Sequence, residues 1–314
     1  MKPIRNNRYR RRRQRSGSKT GIWLGALFAA GILAAAVVCL LLFLPRQDEE
    51  PLPSRFGVNP ASQASEDPSS AGSGASGEPA YQSLYPDLYV PVVEKIPGKE
   101  GDKVVYLTFD DGPSSQTEAL LDVLDEQGVK ATFFVVGQGK GEAQCKAWLK
   151  EIADRGHTIG VHSYSHDYQQ IYASVEAFLE DFQQMHDWIV EATGQKPTIF
   201  RFAGGSVNDY NQENCRAIIE EMTRRGYTYF DWNVDSGDSM LGQGGEAIRE
   251  TTVEGILQRD KSVVLLHNSS TKAETVAQVG EIIAACKREG YRFDVLDPSV
   301  KPFTFALPEQ NGSV

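Results

Sequence analysis

Val104-Val105-Tyr106-Leu107-Thr108-Phe109-Asp110-Asp111-Gly112-Pro113 begins as an apolar run and ends on two adjacent carboxylates and a turn. A short Val/Tyr/Leu/Phe run closed by Gly-Pro reads as a buried strand. Neighbouring strand residues point to opposite faces. Asp110 and Asp111 can therefore share a site only where the strand ends and twists into its loop. Burying unpaired charge is costly, which speaks against two carboxylates placed for packing. Two solvated turn residues are the competing reading, since Asp-Gly is a common turn dipeptide. The rest of the chain separates the two.

From Lys103 onward, strand-like and helix-like segments alternate. The patterning predicts strands at 103–109, 131–136, 157–161, 197–202, 227–233, 262–267 and 291–295. It predicts helices near 115–127, 142–155, 174–193, 211–225, 245–258 and 272–289. In the helix over 174–193, Ser174 is the expected cap, and Val175, Phe178, Leu179, Phe182, Met185 and Ile189 follow helical spacing. Alternating β and α argues a parallel sheet, wound into a barrel or left open. No internal repeat is visible.

Four further strand ends carry chemistry. His162-Ser163-Tyr164-Ser165-His166 follows the strand His157–Val161. Two imidazoles four apart can converge on one ion, and with one carboxylate they leave coordination positions open for water, a catalytic rather than structural pattern. Two surface imidazoles are the plainer alternative. Phe200-Arg201-Phe202-Ala203-Gly204-Gly205-Ser206 puts an arginine in need of a carboxylate at a strand's end, before glycines that let backbone approach a ligand. Tyr229–Asp238 again ends in acids, and Val263–Asn268 puts His267 after a very apolar strand. His157 and His186 read as structural histidines. In barrel and α/β folds the C-terminal strand ends share one face, where active sites sit. Five such ends in succession argue for an enzyme.

The N-terminal part has another character. Residues 1–20 hold nine Lys/Arg and no acid. The whole chain carries −10, so −19 remains on residues 21–314. A phosphate backbone would repel that part, which argues against a nucleic-acid partner. Gly21 to Leu44 contains no charged residue, and 24 residues at about 1.5 Å rise make about 36 Å, enough to cross a ~30 Å hydrocarbon core. The basic tail before it places the N-terminus in the cytoplasm and the remainder outside. A cleaved signal peptide is the rival reading, but no small-x-small cleavage site follows Leu40-Leu41-Leu42-Phe43-Leu44. Pro, Ser, Gly, Ala and Glu dominate from 45 to about 80, as in a flexible stalk. Tyr81 to Pro97 reads as an extended strap on the domain. Cys145, Cys215 and Cys286 show no CxxC spacing and read most simply as small buried hydrophobes, though one disulfide plus a free thiol stays open.

With those motifs in order, residues about 99–300 resemble the polysaccharide deacetylase family (carbohydrate esterase family 4). The resemblance rests on Thr-Phe-Asp-Asp-Gly-Pro at 108–113, His-Ser-x-Ser-His at 162–166, Arg-Phe-Ala-Gly-Gly at 201–205, Asp-x-x-Asp at 235–238 and Leu-His at 266–267. It implies a deformed (β/α) barrel of about seven strands. It implies a divalent metal, zinc first, with cobalt, nickel or manganese as the other candidates. It also implies removal of N-acetyl groups from amino-sugar polymers. Residue by residue, Asp111, His162 and His166 would hold the metal. Asp110 would be the general base, with Arg201 pairing with it and keeping it ionised. Gly204 N–H would help stabilise the oxyanion. His267 would protonate the leaving amine, supported by Asp235.

Three positions depart from the family pattern. Ala203 replaces a usual Pro, which suggests a less rigid oxyanion loop. Asn268 replaces an Asp, and Ser239 a Trp that forms one wall of the sugar site. Trp232 or Tyr164 could supply that wall.

The expected organisation is a basic cytoplasmic tail (1–20), a transmembrane anchor (21–44), linker and strap (45–98), a catalytic domain (99–305) and a C-terminal tail (306–314). The expected substrate is a cell-envelope glycan, peptidoglycan N-acetylglucosamine first. An O-acetyl esterase and a non-catalytic glycan-binding protein are the alternatives. Oligomeric state is not legible.

Overall fold

The computed structural model describes residues 78–308, apart from Glu100, Gln138, Lys140 and Leu241. The tail, anchor and most of the linker expected at 1–20, 21–44 and 45–98 lie outside the described residues, as does 309–314. Among the described residues, no helix is long and apolar enough to cross a membrane.

The elements run β1 (Val104–Gly112), α1 (Thr117–Glu126), β2 (Thr132–Val136), α2 (Glu142–Asp154), β3 (Thr158–Ser163), α3 (Tyr168–Ile171), α4 (Val175–Thr193), β4 (Ile199–Phe200), α5 (Cys215–Arg224), β5 (Thr228–Tyr229), β6 (Val234–Asp235), α6 (Gly245–Leu257), β7 (Lys261–His267), α7 (Ala273–Arg288) and β8 (Arg292–Phe293). Every strand pairing is parallel. The order across the sheet is β5-β4-β3-β2-β1-β7-β6, with β8 beside the start of β1. The sheet curls into a half-barrel with helices outside.

The expected strand at 227–233 is split. Phe230 N–H still donates to Phe200 O beside β4, while Asn233 N–H donates to Val263 O beside β7. Residues 231–232 therefore step from one sheet edge to the other, and the barrel nearly closes there. β6, the unforeseen eighth strand, begins on the far side.

Period-two alternation sorts the strands into two cores. Val105, Leu107, Phe109, Phe133 and Val135 join the layer under the helices. Val104, Tyr106, Phe134, Ile199, Phe230, Val263 and Leu296 fill the barrel interior. Covered on both faces, β1 is apolar almost throughout. α4 begins at Ser174, whose Oγ accepts from Ala177 N–H, and ends at Gly194 in the left-handed region. The strap is held by Arg225, which donates to the carbonyl oxygens of Tyr81, Leu84 and Tyr85. Cys145, Cys215 and Cys286 are all buried, as small apolar residues would be.

Candidate active site

Alternation along β1 carries Asp110 inward above Thr108, over the interior core. Arg201, at the end of β4 and without exposed surface, arrives beside it. Its Nη1 donates to Asp110 Oδ1 at 2.9 Å and to Thr108 Oγ1 at 2.7 Å. Its Nε and Nη2 donate to the carbonyls of Phe230 and Asp231. The guanidinium lies over the Phe134 ring, 4.4 Å from its centroid. A buried guanidinium needs a counter-charge and hydrogen-bond acceptors, and this one has the Asp110 carboxylate and three further acceptors.

By the same alternation Asp111 would point into the helix layer. Two features re-aim it. The β1–β2 register shifts between Asp110 and Gly112, and Asp111 has φ 65°. A bulge with left-handed backbone turns the carboxylate to the barrel mouth. The β2–β3 register slips in the same way across His162, where Val135 pairs with Val161 but Val136 pairs with Ser163. His166 also has positive φ, 56°. Non-glycine residues held there store strain, which clusters at functional sites.

One ligand atom from each of Asp111, His162 and His166 can be chosen so that all three lie within 4.8 Å of one another. His166 Nε2 is 3.2 Å and His162 Nε2 3.7 Å from Asp111 Oδ1. His162 Nδ1 sits 2.9 Å from Arg201 O, a group that can only accept. Nδ1 therefore carries the hydrogen and Nε2 offers a lone pair to the site. Burial pushes the His162 imidazole down from its ordinary pKa, which favours the same neutral form. Burial would raise the Asp111 carboxyl, but its bond to His166 and the nearby imidazoles outweigh this and hold it low. These donors fit a divalent cation with open positions facing solvent.

The histidine loop is held by Asp181, a buried acid in the apolar face of α4. Its carboxylate accepts from Ser163 Oγ and from the N–H groups of Tyr164 and Ser165. Ser163 Oγ in turn accepts from His166 N–H at 2.7 Å.

On the other side of β1, the β1–β7 register pairs Asp110 with His267. The carboxylate against His267 is Asp238, not the expected Asp235. Asp238 Oδ1 is 2.6 Å from His267 Nδ1, and Oδ2 accepts from His267 N–H and Thr275 Oγ1. Asp235 is exposed and accepts from Gly237 N–H, tightening the turn that brings Asp238 inward. Burial would lower the His267 pKa, but the Asp238 bond and charge, helped by Asp110 and Asp111, raise it above the ordinary histidine value.

Gly204 lies exposed in the loop after Arg201, with φ 76°, and its N–H donates to no group among the described residues. Trp232 packs on the neighbouring Gly205 and edge-on against Phe305. Tyr164 is not brought to this group. Its ring packs on Trp188 and over Gly137.

A sequence profile of the family described as polysaccharide deacetylase matches residues 97–229. A peptidoglycan-N-acetylglucosamine deacetylase of Bacillus cereus is 30% identical over 201 residues, covering 63% of this chain and 70% of that protein. The solved catalytic domain of a peptidoglycan N-acetylglucosamine deacetylase from Eubacterium rectale superposes with TM-score 0.64 at 37% identity, covering 69% of this chain and 98% of that one. A Streptococcus mutans CE4 esterase superposes with TM-score 0.55 at 29% identity, covering 62% and 87%. The chain belongs to the polysaccharide deacetylase family.

In this deacetylase, sequence reasoning passes over Asp181 and does not choose Asp238. Asp181 carries a signal: it is an acid at a core position among Phe178, Phe182 and Met185. Asp238 is visible as half of Asp-x-x-Asp, but spacing cannot choose between the two acids.

Proposed function

We propose that this deacetylase removes N-acetyl groups from an amino-sugar polymer of the cell envelope, with peptidoglycan N-acetylglucosamine as its substrate. The convergence of Asp111, His162 and His166 between Asp110–Arg201 and His267–Asp238 carries this reading. The likeness to peptidoglycan deacetylases of Bacillus cereus and Eubacterium rectale supports the choice of polymer.

Asp111, His162 and His166 hold the cation, zinc in this reading. When bound there, it supplies Lewis acidity that acidifies water and polarises the acetyl carbonyl. Asp110 takes the proton of the attacking water, and Arg201 fixes its carboxylate. Gly204 N–H points at the oxygen that gains charge. His267, whose proton Asp238 helps to hold, gives it to the departing amine. An amine is a poor leaving group, so a strongly supported acid favours amide over ester hydrolysis.

The basic tail and the uncharged 21–44 segment support an N-terminal anchor that keeps the domain outside the cell within reach of wall polymer. The test uses the full-length protein in detergent micelles, stripped with a chelator and reloaded with zinc. It is given N-acetylglucosamine oligomers, peptidoglycan fragments and acetylated xylan. Zinc-dependent acetate release from the amides, abolished in Asp110→Asn, is expected. Release from esters alone would make it an O-acetyl esterase, and none from any glycan would leave a binding protein.

A further inference from the structure

Tyr168 opens α3, two residues after His166. The Asp167 side chain accepts from the N–H groups of Gln169 and Gln170 and so fixes the backbone that carries the phenol. The ring lies edge-on to His166, with centroids 5.2 Å apart, and to Tyr210 at 5.4 Å. It is tilted against Tyr172 at 6.3 Å and also neighbours Gly204. A Cβ built there would fall 3.2 Å from Tyr168 Cε2 and 3.3 Å from its Oη. Glycine at 204 therefore leaves the volume that the phenol fills, and the hydroxyl lies beside the residue whose N–H donates to no group among the described residues.

That hydroxyl has no hydrogen-bond partner among the described residues. Tyr172, one turn on, differs: its Oη donates to Ala203 O at 2.7 Å and braces the loop. Tyr168 is half-buried and keeps its proton at neutral pH, as phenols do. A donor left unpaired when substrate displaces water costs free energy, so this position suits a hydroxyl only if the substrate supplies an acceptor.

We propose that Tyr168 is a catalytic residue whose Oη–H donates to the acyl oxygen of the substrate beside the Gly204 N–H. The proposal rests on the deacetylase reading. A second donor from a side chain anchored in α3 gives the Gly204–Gly205 loop a partner held by a different element. Because charge grows on that oxygen only in the transition state, the hydrogen bond acts mainly on kcat.

The experiment compares the zinc-loaded full-length protein with its Tyr168→Phe variant on N-acetylglucosamine oligomers, together with zinc affinity by calorimetry. Phenylalanine keeps the ring contacts with His166, Tyr210 and Gly204. The expected result is a kcat at least about tenfold lower, KM within about twofold, and unchanged zinc affinity. A kcat within about twofold of wild type overturns the proposal, whether or not KM moves. So does a kcat loss that tracks weakened zinc binding, since the residue would then act through His166. A wild type that releases no acetate sinks the deacetylase reading and this proposal with it. An active wild type matched by Tyr168→Phe sinks this proposal alone.

Discussion

Replacing Asp238 by Asn separates the charge of this carboxylate from its shape. Asp238 is buried and gives His267 two acceptors, at 2.6 Å to Nδ1 and 2.9 Å to the backbone N–H. The His267 pKa stands above its ordinary value because these contributions outweigh burial. Removing the negative charge leaves burial in command and the pKa falls. A hydrogen bond to a charged group is worth about 1.5–3 kcal/mol, and about 1.4 kcal/mol is a factor of ten, so the protonated form loses about 10–100-fold in population where the group titrates. His267 works in its protonated form, so activity is lost as pH rises through its pKa. The alkaline limb of kcat should therefore move to lower pH in Asp238→Asn. On that limb kcat drops about 10–100-fold, while the acid limb stays where it was. Poorer orientation of the ring lowers the whole profile, so only the displacement of the limb tests the electrostatic argument. Asp235→Asn is the control, because that exposed side chain accepts from Gly237 N–H and an amide oxygen can accept in its place. The assay is acetate release against pH at saturating substrate. An unmoved limb in Asp238→Asn, or a moved one in Asp235→Asn, refutes the assignment.

Asp181→Asn keeps the size of the group that gathers the histidine loop but weakens its acceptors. Zinc affinity by competition with a chromogenic chelator should drop about 10–100-fold with the fold retained, and an unchanged affinity would count against this role. Arg201→Met leaves Asp110 buried and unpaired, at a cost of about 3–5 kcal/mol in urea denaturation. Adding Asp110→Asn should recover part of that cost, and strict additivity would refute the coupling. His157 accepts from Ala131 N–H, its Nε2 is buried without a partner among the described residues, and burial pushes its pKa down to about 4. The unfolded chain then takes up a proton that the folded one refuses, so stability present above pH 6.5 is lost as pH falls toward 4, by up to about 3 kcal/mol. His157→Asn should flatten that part of the stability–pH curve, and an unchanged slope would exclude this histidine as its source.

The strand run Val104–Phe109 and the helical period of 174–193 depend on nearest-neighbour pattern, so both are legible in the residue string alone. The ends of five strands can be listed in order because parallel strands share a polarity. What distance along the chain does not encode is backbone re-aiming. Asp110 and Asp111 share a mouth through a bulge and a positive φ, and a residue string specifies neither. Asp235 and Asp238 differ only in which one a turn folds inward. Tyr164 and Tyr168 both flank His166, yet the first packs outward on Trp188 while the second enters the space left by Gly204. The strand expected at 227–233 fails for a similar reason. Its residues are strand-like throughout, but the curl brings the opposite sheet edge within reach and the chain changes partners there.

The three departures from the family pattern can be weighed by what holds each position. At 203 the question is whether the oxyanion loop is slack. Ala203 is buried, and its carbonyl accepts from Tyr172 Oη and Asn208 Nδ2. Gly205 O accepts from Asn208 and Asn211. The buried Asp231 carboxylate takes the N–H and Oγ of Ser206 and, from the C-terminal segment, the N–H of Phe305. Side-chain hydrogen bonds thus constrain the loop where a proline ring would have constrained one φ angle. Asn268 donates its amide to Thr117 Oγ1 and its backbone N–H to Asp110 O, so it still braces the base without a charge. Ser239 is exposed, and the Trp232–Phe305 pair lies against Gly205 instead. None of the three changes touches the contacts between Arg201 and Asp110 or between Asp238 and His267. A chain drifting toward binding alone would have no need to keep both a buried cation on its base and a buried anion on its acid, which is the stronger argument for turnover.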